Sequence, residues 1–448
     1  MLDKIIGKKH EEKLVVTPAP VEPKKFSPEE LAALVKANNL RADSRDIADY
    51  EWQDMPWLWV PRELDLSMYL LGIEDQSVQG SCVAHAGTSM LEADEKATTG
   101  NSIQRSRRHL YWNARSFSAV TEGVDGGTTL RDALKAMYHK GVCTEATCPY
   151  DNSLVNVAPL PSADAEGANY KVTEYRRLKG LSSQDVFVTI RRIQEAIATG
   201  HLIMYASQIE QDYFYLGNNG PHYSYQGLSK PGAVNVGGHA QTLCGYKWKG
   251  SEDWGKLANS WNTTWGENGF SRIRLTTLAN DATDIWAVRS WNGKDVMARF
   301  NNRKKIAQLY VSIFGRAPDA GGMDYWVGQL EGGMPATTIA NTMFAVEPAR
   351  AYYPSGMTNS QIVASFYQNV LGRPADEGGL AYWTGIMNAQ GFGAAVTQII
   401  AIVETYTGTD SAVRASCQLF ADKVGQAMTW AANGGGVTGS DAAIVVVG

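Results

Sequence analysis

The C-terminal part of the chain contains an internal repeat. The segment LYVSIFGRAPDAGGMDYW, Leu309 to Trp326, is matched by FYQNVLGRPADEGGLAYW, Phe366 to Trp383. The offset is 57 residues, the separation of Leu309 from Phe366. Self-similarity at a fixed period is the signature of stacked supersecondary units, each of which buries its apolar face against the next. The repeat predicts an all-α module of two units over residues 300–432, followed by a Gly-rich tail, residues 433–448.

Each repeat unit carries a Gly-Arg-x-x-Asp-x-x-Gly turn followed by a Tyr-Trp pair. We interpret these positions as structural: glycine permits the turn, the aromatic rings fill a core, and Arg316 and Arg373 bind nearby carbonyls or the Asp. The repeats resemble a bacterial domain of unknown function that occurs in secreted, surface and adhesin-like proteins and in some bacteriophage proteins. That resemblance implies an attachment role, with a cell-surface or virion assembly partner bound through residues 300–432.

Composition limits what the rest of the chain can be. The chain has 448 residues, enough for roughly two to four domains. Hydrophobic residues make up 44% and charged residues 19%, which excludes wholesale disorder. The 41 Lys and Arg against 46 Asp and Glu leave a formal net charge of -5. Because this charge offers no attraction for a polyanion, we expect no nucleic-acid partner.

Cysteine usage and hydropathy bear on the compartment. The five cysteines are too few for a disulfide scaffold, and their odd number predicts at least one free thiol. Met1 to Leu14 is charged and lacks the apolar core of a secretory signal, so we expect no conventional export signal. The longest uncharged stretch, Gly378 to Val403, is interrupted by polar residues and glycines, and we expect no membrane span. A cytoplasmic location, leaderless export and a place in a virion all stay open.

The first two thirds of the chain divide into an arm and a domain. Residues 1–56 form an N-terminal arm, in which Val15–Lys25 is Pro-rich and predicts an extended linker. A capping box at Ser27–Glu30 predicts a short helix after it. Residues 57–291 mix helical periodicity, as in Thr129–His139, with β-branched alternating runs. The predicted fold class is α+β for this domain, with the all-α module behind it.

Three separated motifs carry the candidate chemistry. Cys82 follows a Gly-Ser turn at the start of a helical run, and a helix N-terminus favours the thiolate. His239 lies in GGHA, and Asn259 opens NSWNTTWGENGF. Gln76 stands six residues before Cys82. A thiol nucleophile needs a base and a group that orients the base, and these motifs supply both in order.

Together the motifs resemble those of the papain-like cysteine peptidases, in which Gln-x5-Cys is followed by Gly-His-Ala and by Asn-Ser-Trp-Gly-x-x-Trp-Gly. The resemblance covers about Pro56 to Trp291 and includes the glycine-rich GVDGGT and the Gly-x3-Glu-x3-Pro-Tyr segment of prokaryotic-type members. It implies a two-lobed fold, with a helical lobe that carries the Cys and a β-rich lobe that carries the His and Asn. Val83, Asn262 and Gln79 depart from the family pattern, but none of these changes removes a catalytic group.

The resemblance implies a role for each matched residue. Cys82 is expected to be the nucleophile and His239 its acid–base partner. Asn259 is expected to orient the His239 ring, and the Gln76 side chain is expected to donate a hydrogen bond to the oxyanion. Trp261 is expected to shield the bond between His239 and Asn259. A substrate backbone is expected to approach closely at three glycines, Gly126, Gly127 and Gly238. We expect no cofactor and no metal.

Other titratable residues have simpler interpretations. His85 is expected to be structural or to line a subsite, because a residue three positions after Cys82 on one helix cannot also face it across a cleft. The basic run Arg105 to His109 is most simply a solvated helix face. His139, Cys143 and Cys148 lack a fourth zinc ligand. The two cysteines could instead form a local disulfide, which their spacing alone does not decide.

The predicted function is a cysteine endopeptidase that hydrolyses bonds in extended peptide or protein substrates. The alternative is a structural or adhesion component of a virion or cell surface that uses the peptidase fold as a scaffold. A third reading is an amidase or a transglutaminase-like acyl transferase with the same catalytic groups. Residues 1–56 are either an inhibitory propeptide or a docking segment, and both readings stay open.

Overall fold

The computed structural model describes residues 27, 29, 40–41, 49–55, 58–118, 124–179, 186–216, 225–249, 252–291 and 294–432. The predicted Pro-rich linker, most of the predicted short helix and the Gly-rich tail lie outside these residues. Within the described part, the secondary structure comprises thirteen α-helices and eight β-strands.

Three helices form the first lobe. Its central helix, α1 (Cys82–Thr99), is buried along most of its length. Helices α2 (Arg107–Phe117) and α3 (Leu130–His139) pack against α1 and against each other. Both begin at a hydroxyl cap, Ser106 and Thr129, whose side chain accepts a hydrogen bond from a backbone N–H in the first turn. These caps fix where each helix starts relative to α1.

An antiparallel sheet forms the second lobe. Its strands are β1 (Glu63–Asp65), β2 (Val172–Arg177), β3 (Ile203–Glu210), β4 (Asn235–Lys249), β5 (Glu252–Ala258), β6 (Phe270–Ile273), β7 (Ala282–Trp291) and β8 (Lys294–Asp295). The strand order is β2-β7-β3-β4-β5-β6, with β1 paired to β4 and β8 paired to β7. Three further helices lie among these strands in the chain, α4 (Pro161–Gly167), α5 (Val186–Ala198) and α6 (Leu275–Asp281). The long strand β4 is flanked by β3 and β5, so its side chains have fixed neighbours.

The remainder of the described chain is helical. Its helices are α7 (Val296–Phe314), α8 (Ala320–Glu331), α9 (Ala336–Phe344), α10 (Asn359–Leu371), α11 (Glu377–Gln390), α12 (Phe392–Thr405) and α13 (Ser411–Ala432). Helices α8 and α11 begin at equivalent positions of the two repeat units, after Asp319 and Asp376. Each Asp accepts a hydrogen bond at 2.8 Å from the N–H of a glycine three residues later. Among the described residues, no helix is both long and apolar enough to cross a membrane.

The aromatic side chains of the two repeats divide between core and surface. Tyr310 and Tyr367 are buried. Each packs closely on a glycine of its own unit: a Cβ on Gly322 would lie 2.6 Å from Tyr310 Oη, and a Cβ on Gly379 would lie 2.9 Å from Tyr367 Oη. Each Arg of the turn donates to the carbonyl of the next residue, as expected. Tyr325 and Tyr382, however, are 59% and 58% exposed. The prediction that the repeated Tyr-Trp pair fills the core is therefore wrong for these two tyrosines.

The C-terminal helices pack directly against the preceding lobes. Helix α7 lies on α1, and α13 lies on β1. Asp422 of α13 accepts a hydrogen bond from the Arg62 N–H at 2.6 Å, and the Gln418 side chain donates to the Val60 carbonyl at 2.9 Å. The buried apolar side chains of the two parts form one continuous cluster. The helical part thus shares a core with the rest of the described chain.

The basic run from Arg105 to His109 is buried, so the predicted solvated helix face is wrong. Arg105 and Arg107 are 0% and 1% exposed. Arg105 pairs with Glu95 at 2.7 Å, and Arg107 pairs with Glu92 at 3.2 Å. Both carboxylates come from α1, and their charge compensates the desolvated guanidinium groups. A run of positively charged residues is solvent-exposed only when the fold buries no carboxylate beside it. Whether a carboxylate lies there depends on the tertiary structure.

Candidate active site

Cys82 is the first residue of α1 and follows a tight turn. Asp125 holds that turn, because both of its carboxylate oxygens lie 3.1 Å from the Gly80 nitrogen and accept its N–H. The Cys82 side chain is buried, and its sulfur accepts a hydrogen bond from the backbone N–H of Ala240 in β4. Ala240 directly follows His239. The thiol therefore lies at the junction of the two lobes, beside the backbone that carries the histidine.

The His239 side chain is fixed by a loop that follows β5. Its Nε2 lies 2.7 Å from Asn259 Oδ1. Ser260 N–H donates to the same Oδ1 at 2.8 Å, so this atom is the amide oxygen and His239 Nε2 carries the proton. The Trp261 ring stacks on the imidazole, with centroids 4.5 Å apart and an interplanar angle of 26°. Within the described residues, His239 Nδ1 makes no hydrogen bond, which leaves a basic nitrogen for a thiol.

Gln76 is fully buried between the turn that precedes Cys82 and the loop that carries Asn259. We call that turn, residues 77–81, the nucleophile turn after the predicted role of Cys82. Its Nε2 donates to the Gln79 carbonyl at 2.9 Å, and its Oε1 accepts from Ser260 Oγ at 2.6 Å. These two bonds fix the orientation of the amide. Since a primary amide has two N–H groups, one donor remains beyond the bond to Gln79.

A short piece of the N-terminal arm lies in the cleft. The Leu40 N–H donates to the Gly238 carbonyl at 3.3 Å, and the Arg41 N–H donates to the Thr128 carbonyl at 3.1 Å. Gly238 directly precedes His239 in β4, whereas Thr128 directly precedes the cap of α3. A Cβ on Gly238 would lie 2.8 Å from the Leu40 Cβ. The arm therefore bonds to both lobes beside the imidazole, and a side chain at position 238 would displace it.

Burial sets the ionisation of this covered site. Burial raises the pKa of the Cys82 thiol to about 11, and the N–H donors of Ala240 and Val83 offset only part of that rise. Burial lowers the pKa of His239 to about 4, against the Asn259 hydrogen bond, which raises it. Both groups are therefore neutral at pH 7. The predicted helix-terminal thiolate is wrong for this closed arrangement, because desolvation of the charged form exceeds the stabilisation by the helix.

Two sequence families match the chain. The sequence family described as papain family cysteine protease matches residues 60–285. The chain belongs to the papain family of cysteine proteases. A domain of unknown function, DUF4214, matches residues 294–345 and 340–393, within the helical region. Both resemblances inferred from the sequence motifs are confirmed at the level of the family, as is the papain-like α+β fold.

Relatives from several organisms share this similarity. An uncharacterized peptidase C1-like protein of Acanthamoeba polyphaga mimivirus is 26% identical over 227 residues, 48% of this chain and 68% of that protein. A cysteine protease of Blomia tropicalis is 27% identical over 208 residues, 46% of this chain and 57% of that protein. The crystal structure of xylellain, a cysteine protease from Xylella fastidiosa, matches with a TM-score of 0.49 and 23% identity, over 56% of this chain and 96% of that one.

The glycine pair of the papain-family domain is held by residues that the sequence motifs did not indicate. The Gly127 N–H donates to Tyr111 Oη at 3.1 Å, and Tyr111 Oη in turn donates to Asp125 at 2.5 Å. Asp125 also binds the Gly80 N–H of the nucleophile turn. Three glycines were expected to bind substrate. Two of them, Gly126 and Gly127, lie in a segment that hydrogen bonds through Tyr111 and Asp125 connect to this turn. The local signal for Asp125 was its position directly before Gly-Gly.

His85 contacts structural groups of the protease domain. Its Nδ1 lies 3.0 Å from the Ser81 carbonyl, and its ring meets Tyr150 edge to face at 4.9 Å. Burial lowers the pKa of His85 to about 3, so the ring is neutral. Tyr150 was not singled out from the sequence, although it ends the Pro-Tyr segment. Its Oη bonds with Ser81 Oγ at 2.8 Å and donates to the Gln76 carbonyl at 3.0 Å, so it supports the nucleophile turn from behind.

Proposed function

We propose that this chain is a cysteine endopeptidase in which Cys82, His239 and Asn259 form the catalytic triad. The proposal rests on the 2.7 Å contact between His239 Nε2 and Asn259 Oδ1, with the Cys82 sulfur bonded to the next backbone N–H, that of Ala240. A neutral imidazole held in this way presents one basic nitrogen to a thiol, as nucleophilic acyl transfer requires.

The proposed reaction begins when a substrate replaces the arm. The Cys82 proton moves to His239 Nδ1, and the thiolate attacks the scissile carbonyl carbon. The imidazolium then protonates the leaving amine as the C–N bond breaks, and water hydrolyses the remaining thioester. Asn259 accepts from Nε2–H throughout and stabilises the imidazolium, which Trp261 covers. The Cys82 N–H and the Gln76 amide donate to the developing oxyanion.

We propose that the arm, residues 1–56, is an inhibitory propeptide. Leu40 and Arg41 bond to carbonyls that an extended substrate backbone would need, next to the proposed substrate-binding Gly126, Gly127 and Gly238. The site they cover is neutral, which suits an inactive precursor. Further along the arm, Asp54 pairs with Arg192 at 2.5 Å, an anchor outside the cleft.

A cleavage experiment tests both proposals. A recognition site for a specific protease is placed within residues 42–48, and the folded chain is cut there, so that residues 49–55 keep their contacts. We expect hydrolysis of a fluorogenic peptide library after the cut and none before it. Cys82→Ala and His239→Ala should abolish hydrolysis in the cut protein.

Three outcomes would contradict the proposals in different ways. A cut, folded protein with an intact Cys82 that cleaves no peptide would leave the scaffold function as the better explanation. Incorporation of a labelled amine in place of hydrolysis would identify an acyl transferase. Equal hydrolysis before and after the cut would refute the inhibitory arm and leave the peptidase proposal standing.

We propose that residues 300–432 attach the protease to a larger assembly at a cell surface or in a virion of bacterial or bacteriophage origin. The support is the pair Tyr325 and Tyr382, which occupy equivalent positions in the two repeats and are both mostly exposed. The test is co-sedimentation of the full chain with bacterial cell envelopes. A Tyr325→Ala, Tyr382→Ala double variant should lose this binding, and unchanged binding by the variant would contradict the proposal.

A further inference from the structure

Two cysteines outside the active site lie against each other. Cys143 and Cys148 are separated by four residues in the chain, and their thiols are hydrogen-bonded to one another. With Ala163 they form a small buried cluster that is separate from the main core. The turn between them is closed by a hydrogen bond from the Cys148 N–H to the Thr144 carbonyl at 3.2 Å. The fold thus brings two sulfur atoms together within one short turn.

Both ends of this turn are tied to the same residue. The Ser106 N–H donates to the Cys143 carbonyl at 2.9 Å, and Ser106 Oγ donates to the Cys148 carbonyl at 2.5 Å. Ser106 is the cap of α2, so it is itself held by the helix. Because one fixed residue binds both cysteine backbones, the two thiols face each other without a covalent link.

Cys148 is the more accessible and the more acidic thiol of the two. Both thiols are buried, at 3% exposure for Cys148 and 0% for Cys143, but the residues on either side of Cys148, Thr147 and Pro149, are exposed. The hydrogen bond from the Cys143 thiol, helped by Ser106 and the positive charge of Arg108, lowers the pKa of Cys148. The same bond raises the pKa of Cys143. Cys148 is therefore the thiol of the pair that deprotonates more readily and can attack, and Cys143 is the thiol that can resolve.

We propose that Cys143 and Cys148 form a disulfide bond by exchange with a small disulfide such as oxidised glutathione. The Cys148 thiolate attacks one sulfur of the small disulfide, whose S–S bond breaks and releases one thiolate. Cys143 then loses its proton and attacks the Cys148 sulfur, which forms the protein disulfide and releases the second thiol. The protein gives up two electrons and two protons, and the small disulfide is reduced to two thiols.

The bond closes a loop that supports the nucleophile turn. Between the two cysteines, Glu145 accepts a hydrogen bond from the Tyr150 N–H at 2.5 Å. Tyr150 in turn contacts Ser81 and Gln76 through its Oη. Oxidation of Cys143 and Cys148 therefore stiffens the segment behind Cys82 without using the catalytic thiol. The exchange does not depend on peptidase activity, so its test is independent of the proposed function.

Peptide mass spectrometry tests this proposal on the full chain. The native protein is incubated with oxidised glutathione, its remaining thiols are blocked with N-ethylmaleimide under denaturing conditions, and it is digested with trypsin. One tryptic peptide, from Gly141 to Lys171, contains Cys143 and Cys148 and no other cysteine. We expect this peptide to become two hydrogens lighter, without label, and to regain two labels after dithiothreitol treatment.

Matched variants separate the steps. Cys143→Ser should stop at a glutathione adduct on Cys148, because the resolving thiol is missing, and Cys148→Ser should show no adduct on Cys143. In the parent chain alone, oxidation should raise the thermal denaturation midpoint reversibly by several degrees, a readout that does not rely on any variant folding. Full labelling of both cysteines after the native protein has been incubated with oxidised glutathione, or a stable glutathione adduct in the parent chain, would overturn the proposal.

Discussion

At the level of single residues, the chemistry of the site depends on donors and acceptors that the surrounding loops hold in place. The Gln76 amide is fixed on one side by the Gln79 carbonyl and on the other by Ser260 Oγ. A donor that is already oriented needs no reorganisation when negative charge develops on the substrate oxygen. Its contribution should therefore appear in the rate of the chemical step and much less in substrate binding.

Gln76→Ala should lower kcat of the arm-free protein by about 10²–10³-fold with little change in KM, because it removes the proposed oxyanion donor. Ser260→Ala keeps the amide and removes only its support at Oε1, so we expect a smaller loss. Steady-state kinetics on one peptide substrate measure both effects. Equal losses in the two variants would argue that Gln76 maintains the structure and does not act as a donor.

The ionisation of Cys82 should differ between the closed and open chains. In the closed chain the pKa of about 11 leaves about 10⁻⁴ of the thiol ionised at pH 7, and this fraction rises as the pH rises. Iodoacetamide labelling of Cys82 should therefore be slow at neutral pH and increase steeply above it. After the cut within residues 42–48, water and His239 should stabilise the thiolate, and labelling should be fast well below pH 8. His239→Ala should remove this acidic reactivity, and fast labelling of the closed chain at pH 6 would contradict the prediction.

At the level of elements, the nucleophile turn and the glycine wall are joined by one carboxylate. Asp125 accepts from the Gly80 N–H and from Tyr111 Oη, and Tyr111 Oη accepts from the Gly127 N–H. These bonds connect a turn that precedes α1, a residue in α2 and the loop before α3. The distance between the thiol and the wall of the cleft is thus set by hydrogen bonds to a charged group, which are stronger than those between neutral groups.

Asp125→Ala should loosen this connection and lower kcat/KM of the arm-free protein by at least tenfold. It should also lower the free energy of unfolding by about 1.5–3 kcal/mol, the usual contribution of a hydrogen bond to a charged group. Asp125→Asn keeps one acceptor oxygen at the same place and should retain most of both quantities. Denaturant titration and peptide kinetics measure them, and equal effects of the two substitutions would show that the charge matters more than the bonds.

At the level of the whole molecule, the C-terminal helices and the protease lobes stabilise each other. The contact between α13 and the segment before β1 is close enough that a Cβ on Gly425 would lie 2.5 Å from the Pro61 Cβ. Lys304 of α7 also pairs with Glu404 of α12 at 2.7 Å, which links the first helix of the helical region to its next-to-last helix. We infer that the helical region is a structural part of the folded protein as well as a candidate attachment module.

Two Gly→Ala substitutions in helices should therefore have opposite effects. Gly425→Ala pushes α13 away from Pro61 and should lower the free energy of unfolding by about 1–3 kcal/mol. A Cβ on Gly328 of α8 meets nothing within 4 Å, so Gly328→Ala should raise the free energy of unfolding by about 0.5–1 kcal/mol through helix propensity alone. Chemical denaturation of the full chain compares them. A stabilising effect at Gly425 would show that α13 does not pack on β1 in solution.

Motifs and periodicities in the amino-acid sequence were enough to predict the family, the α+β class, the start of the central helix at Cys82 and the helical character of the repeats. Each of these depends on short motifs and their order along the chain, or on local periodicities, where backbone geometry and side-chain type act locally. The catalytic roles of Cys82, His239, Asn259 and Gln76 stay predictions that their contacts support and that the kinetic experiments test.

Which charges are buried, and which groups lie beside the site, depends on contacts between distant parts of the chain. Arg105 and Arg107 lie inside because Glu95 and Glu92 of another helix lie beside them. Burial where the two lobes meet raises the pKa of the Cys82 thiol, and Leu40 and Arg41, distant in the chain, bond to both lobes beside His239. Cys143 and Cys148 face each other because Ser106 binds both ends of their turn. Desolvation and charge pairing depend on which residues are neighbours in space, and these neighbours cannot be read from the order of residues in the chain.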